Sequence, residues 1–355
     1  MEKYVLDRLK KFTDAAAPAG FEHEARDLME KYLKNDVDDM YRDNLGSVIT
    51  ENVGDENGPR IMLTSHLDEI GFLITAIDDN GFLKFVNLGG WNPAVLIMQQ
   101  VEVVTSNGER IHGIVGSSSK ARGKTPQIKD LYIDLGQTSK EQVEATGIKV
   151  GDFAVPYCEF RRMGCSDTIL AKAWDNRIGV YVVSEVMRRL NEVKHKNIVF
   201  GVGAIQEETG CKGSKTASFK INPDIGIAVD VEFATDFPGG SEKAFSASIG
   251  KGPAITLMDQ GTICQPALRD FVIEVAEKSK IDIQINGFAG GGTDASSMHI
   301  SRDGAPSLTI GVPMRYMHSN TGLLSYSDIE ATIKLIVNVV KKLDRDKVND
   351  ITFFE

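Results

Sequence analysis

Two adjacent glutamates, Glu207 and Glu208, follow the apolar and β-branched run that begins at Ile198 and ends at Ile205. Such a run reads as a buried strand. Two carboxylates at its carboxyl end repel each other and are costly to desolvate unless a cation is near. In an open α/β sheet that end is where ligands bind. The pair therefore reads as half of a metal site, one Glu a ligand and the other a proton-handling group. Further acids and imidazoles follow other apolar runs: His66 and Asp68 after RIMLTS, Asp175 after an extended segment, Asp230 after DIGIAV, and His318 just past PSLTIGV. In an extended segment His66 and Asp68 share a face, and an imidazole beside a carboxylate has the make-up of a ligand with its orienting partner. Two imidazoles, two terminal carboxylates and one bridging carboxylate would hold two divalent ions about 3.5–4 Å apart. Mixed imidazole and carboxylate ligation favours zinc, cobalt or manganese over calcium or magnesium.

These residues can meet only if the runs before them are strands of one sheet. The pattern predicts strands over residues 47–53, 60–65, 169–174, 198–206, 224–229 and 306–312. Helices are predicted over two segments within residues 1–35, from 175 to about 190, from about 213, over 266–280 and over 326–343. Between residues 72 and 165 the texture changes to short strands with frequent turn signals such as Asp79-Asn80-Gly81 and Ser106-Asn107-Gly108, and one helix near 138–146. The fold class expected is α/β. A mixed-sheet, three-layer α/β/α catalytic domain over 1–71 and 166–355 is interrupted by a small β-barrel-like domain over 72–165. Residues 117–125, SSSKARGKT, end like a phosphate loop but carry Ser118 in place of the first glycine and lack the strand-loop-helix context, so a mobile basic loop is expected there. Gly290-Gly291-Gly292-Thr293-Asp294 reads as a flexible loop bordering a cleft.

The 355-residue chain carries a formal net charge of -10, which argues against nucleic acid as a partner. Its N-terminus lacks the apolar core of a signal peptide and no run approaches the roughly 20 residues of a membrane span. A cytoplasmic protein without a membrane partner is expected. The four cysteines, Cys158, Cys165, Cys211 and Cys264, show neither paired spacing nor disulfide density and read as free thiols.

SHLDEIGF, AWDNRIG, QEETG, the strand end at Asp230 and RYMHS, in that order, resemble the motifs of the tetrahedral (TET) metallo-aminopeptidases, which include glutamyl and deblocking aminopeptidases of the co-catalytic dizinc exopeptidase clan. The resemblance covers nearly the whole chain. It departs from the family where Thr209 and Cys211-Lys212 follow the two glutamates, and where SHLDE replaces the usual AHMDE. It implies that His66 and Asp230 bind one metal, Glu208 and His318 the other, and that Asp175 bridges both. It further implies Glu207 as general base, Asp68 as the partner orienting His66, and peptides cut after their N-terminal residue. A homododecamer with the inserted domain in its contacts is implied as well.

Plainer roles stand beside these. Carboxylates such as Glu207 and Glu208 also suit a solvated helix N-terminus. His23, His112 and His195 read as structural, His299 could face the cleft, and Asp294 is either an outlying member of the site or a helix cap. The alternatives to an aminopeptidase are an N-acyl amino acid deacylase on the same dimetal scaffold, a glucanase-labelled relative, and a non-catalytic assembly protein. A glucanase needs two carboxylates and no metal, whereas these acids come with histidines.

Overall fold

The structure is a computed structural model and describes residues 3–118, 125–164, 167–240, 246–287 and 290–353. Most of the basic loop expected around residues 117–125 lies outside the described residues, as does Cys165.

Four parallel strands form the centre of an 11-stranded mixed sheet, in the order Ile198–Ala204, Arg60–His66, Ile225–Phe233 and Ser307–Arg315. Antiparallel strands extend it on both sides: Val48–Val53 and Asp39–Arg42 on one, Gly322–Ser325, Thr168–Ala171 and Arg161–Arg162 on the other. Parallel strands covered on both faces are apolar throughout, and here successive side chains separate into two cores. Ile61 and Leu63 join Ile225, Ile227 and Val229 on one face, under helices Lys3–Asp14, His23–Leu33, Trp174–Leu190 and Tyr326–Lys342. Met62 and Ala228 turn to the other face, where Ala217 and Ile221 of helix Lys212–Ile221 and Ala295 and Met298 of helix Ala295–His299 cover them. This is the three-layer arrangement expected.

Six strands between Gly71 and Pro156 close into a barrel filled by Phe72, Ile74, Phe85, Val101, Val103, Val115 and Ile133. Phe21 packs on Phe153, with ring centroids 4.6 Å apart, where the barrel meets the main domain. A buried ion network lies within the main domain. Lys172 donates to both carboxylate oxygens of Glu69 at 2.7 Å, and Arg177 reaches Glu69 at 3.3 Å while donating to the carbonyls of Phe12, Ala15, Ala17 and Leu67.

Several strands differ from the sequence pattern. The strand expected to stop at Val229 runs to Phe233, because Asp230 to Phe233 keep parallel partners from Gly311 to Met314. The strand expected over 169–174 ends at Ala171, and Trp174 already belongs to the following helix. Strand Asp39–Arg42, exposed or half-exposed throughout, carries no apolar run to reveal it.

Candidate metal centre

The carboxyl ends of the parallel strands converge. His66 closes its strand, buried, and its ring Nδ1 lies 3.0 Å from the backbone carbonyl of Asp68. A carbonyl only accepts, so Nδ1 carries a proton, and Nε2 is the nitrogen turned to the cleft, available to a metal once it gives up its own proton. The Asp68 carboxylate stands 3.6 Å from that Nδ1, beside the imidazole as expected of an orienting partner, and has a second part. Its two oxygens accept the amides of Glu207 at 3.0 Å and Glu208 at 3.1 Å. That pair leaves its strand through Gln206, whose positive φ of 53° turns the chain sharply.

Asp175 lies in the first turn of helix Trp174–Leu190, where Asp175 and Asn176 depart from helical dihedrals. Asn176 donates to the carbonyl of Val229 at 2.9 Å and accepts from the amide of Gly179, which fixes this turn against the Asp230 strand. The two oxygens of Asp175 serve two histidines: Oδ1 is 3.1 Å from His66 Nε2 and Oδ2 is 3.2 Å from His318 Nε2. His66 Nε2 also lies 3.9 Å from Asp230, and His318 Nε2 lies 3.4 Å from Glu208.

Two groups of ligand atoms follow, each within 4.8 Å: His66, Asp175 and Asp230, and Asp175, Glu208 and His318. They share Asp175. Glu207 lies in neither, although it stands 3.8 Å from His66 Nε2. A third group joins Glu207 to Cys211 and Asp294.

Burial, then mutual repulsion, raises the pKa of Glu207, Glu208 and Asp230 despite the nearby imidazoles. Burial opposes protonation of His66 and His318, but the acids outweigh it. Glu207 and Asp175 push His66 well up, and Asp175 and Glu208 push His318 up to about 11. Asp175, held between both rings, is lowered despite its burial. The centre thus has an excess of buried negative charge that calls for cations. Glu208 Oε1 is buried with no hydrogen-bond partner, the state of an oxygen that would ligate. The donor set fits two divalent ions sharing one carboxylate.

A family model described as M42 glutamyl aminopeptidase matches residues 46–335. The chain belongs to that family. This M42 chain is 35% identical to a lysyl aminopeptidase of Pyrococcus furiosus over 94% of its own length and 96% of the relative's. Its fold matches a TET aminopeptidase from a marine sediment Thaumarchaeota archaeon with a TM-score of 0.94 and 36% identity, covering 98% and 99% of the two chains. It also matches the Pyrococcus horikoshii TET1 peptidase, described as assembling into a tetrahedron or a large octahedral shell, with a TM-score of 0.85 and 32% identity over 95% and 99% of the chains. It is an aminopeptidase, a hydrolase of peptides.

The cleft over the centre of this M42 enzyme, about 390 Å³, is also lined by Glu232, Thr256, Asp259, Gly290 to Thr293, Thr309 and Met317. The glycine loop borders the cleft as expected. Asp294 is buried beneath it, accepts a hydrogen bond from Thr64 at 3.3 Å, and makes no capping bond with its side chain. His299 is not among the lining residues. His195 is buried and bonds Asn52 at 2.7 Å, a structural role. Glu232 and Asp259 are cleft residues that sequence reading missed. The signal for Glu232 was the alternation in IAVDVEF, which carries the Asp230 face two residues onward.

Proposed function

We propose that this chain removes the N-terminal residue from peptides at a centre of two divalent ions, held by His66 and Asp230 on one side, Glu208 and His318 on the other, and Asp175 between. The observation that carries this reading is the placement of Asp175, one oxygen facing each imidazole. Imidazole with carboxylate suits zinc, with cobalt or manganese as alternatives. When bound, the ions supply Lewis acidity at the scissile carbonyl.

The proton work falls to Glu207. It lies outside both ligand groups, so its carboxylate stays free to act as the base. Its carboxylate takes a proton from the attacking water as oxygen bonds the carbonyl carbon. It returns that proton to the nitrogen as the C–N bond breaks, releasing an amino acid and a shortened peptide. Asp68 holds the backbone of Glu207 and Glu208 and so sets where both carboxylates stand.

The barrel is the candidate assembly element: it leaves Val95, Met98 and Ile114 exposed, and the structurally similar TET1 peptidase forms large shells. A homo-oligomer of TET type, a dodecamer, is the corresponding state of this chain. Action on peptides in the cytoplasm is part of this proposal; no helix among the described residues is long and apolar enough to cross a membrane.

The test is hydrolysis of aminoacyl-p-nitroanilides and their N-acetylated forms, before and after chelation. The expected result is cleavage of free-amine substrates only, lost with chelator and restored by zinc, cobalt or manganese. Chelator-resistant cleavage, or preference for the acylated forms, would contradict it.

A further inference from the structure

The strand that delivers Asp230 continues through Glu232, and the two-residue period of a strand turns both side chains to one face. Glu232 therefore stands roughly 7 Å farther along the cleft wall than Asp230. It is 2% exposed and lines the cleft with Asp259, which is 3% exposed. The donors that reach the two carboxylates are neutral. Glu232 accepts from the Thr256 hydroxyl at 2.6 Å and the Phe233 amide at 2.9 Å. Asp259 accepts from the amides of Gly261 and Thr262 and from the Thr293 hydroxyl. The described residues that line the cleft include no lysine or arginine.

Two divalent cations match only four charges among the acids Asp68, Asp175, Glu207, Glu208, Asp230 and Asp294, and leave none over for Glu232 and Asp259. Thr256, which hydrogen-bonds Glu232, and Thr293, which hydrogen-bonds Asp259, line the same cleft, so the two carboxylates share one dry wall. Buried carboxylates without a cation are costly, and the missing cation is one that a ligand can bring. The distance from Asp230 suits an ammonium or guanidinium at the end of a flexible stem. Met317 lines the same cleft and offers apolar surface for that stem.

We propose that Glu232 and Asp259 form the pocket for the substrate's N-terminal side chain and select a basic residue, lysine or arginine. This rests on the aminopeptidase reading above. An acidic side chain would be repelled there, and a neutral one would leave both carboxylates uncompensated.

The experiment compares kcat/KM for lysyl, arginyl, norleucyl and glutamyl p-nitroanilides on the full-length, metal-loaded protein. Norleucine lacks only the terminal ammonium of lysine. The lysyl or arginyl substrate is expected to exceed the norleucyl one by about tenfold or more, the worth of one charge-assisted hydrogen bond. The glutamyl substrate should be the poorest. Glu232→Gln keeps an acceptor but removes the charge, and should lower the lysyl-to-norleucyl ratio by about the same factor, mainly through KM. Asp259→Asn should act likewise, and Glu232→Asp should recover part of the ratio. The wild-type comparison requires no variant to fold. Best turnover of the norleucyl or glutamyl substrate, or an unchanged ratio in folded Glu232→Gln, would overturn the preference alone. No hydrolysis of any free-amine substrate would overturn the aminopeptidase reading and the preference with it.

Discussion

The amide of Glu207 donates to Oδ1 of Asp68 at 3.0 Å, and the next amide, that of Glu208, donates to Oδ2 of the same carboxylate. One buried acid thus positions both the group proposed to move the proton and a group proposed to bind metal. Asp68→Asn replaces one acceptor oxygen by an NH2 that confronts an amide donor. A displacement of the glutamate turn is expected to lower kcat by about a hundredfold. Steady-state kinetics with metal analysis on the same sample checks this; wild-type kcat would contradict it.

Gly89, in the segment between the barrel strands Leu83–Leu88 and Gln100–Val104, supports the centre from outside. Its φ is 81°, and a Cβ there would lie 2.8 Å from Glu208 Oε2 and 2.6 Å from Ile70 Cγ2. Gly89→Ala is expected to displace Glu208 and weaken metal binding by about 10–100-fold. Competition with a chromophoric chelator measures it, and unchanged affinity would refute it.

Glu69 is the anion of a buried network with Lys172 and Arg177, which are 3% and 0% exposed. Glu69→Ala leaves two cations without their counter-ion, at a cost of roughly 3–5 kcal/mol. Denaturant unfolding should show a lower midpoint. A midpoint within error of wild type would mean the network contributes nothing.

The metal-free centre carries protons that cations must expel. His318, shifted from 6.5 to about 11, and His66, shifted in the same direction, bind protons more tightly when folded. The contribution of His318 to stability is full below about pH 6.5 and is lost as pH rises toward about 11, and that of His66 is lost in the same direction. Chelated protein is therefore expected to melt at lower temperature at pH 9 than at pH 7. Metal binding at pH 7 should release protons and weaken as pH falls. Calorimetry in buffers of different protonation enthalpy tests this; metal uptake without proton release would contradict it.

Much of this centre is legible in the sequence because its residues follow buried apolar runs, where an acid or imidazole stands out. His66, Glu207, Glu208 and His318 all have that signature. Asp175 is harder to place, since its position depends on non-helical dihedrals within the first turn of Trp174–Leu190. The second role of Asp68 is not legible, because the partners it adds beside His66 are backbone amides some 140 residues away, brought there by parallel pairing of Arg60–His66 with Ile198–Ala204. Glu232 was hidden by reading the acid at position 230 as the strand's end, when pairing with Ser307–Arg315 carries the strand past it.

Metal content, measured by elemental analysis alongside turnover, tests the shared carboxylate most directly. Loaded wild-type protein is expected to hold about two divalent ions per chain. Glu207→Gln should keep both and lose turnover, whereas Asp175→Asn should lose occupancy at both positions together. Asp175→Asn that retains its full complement of ions would contradict the account.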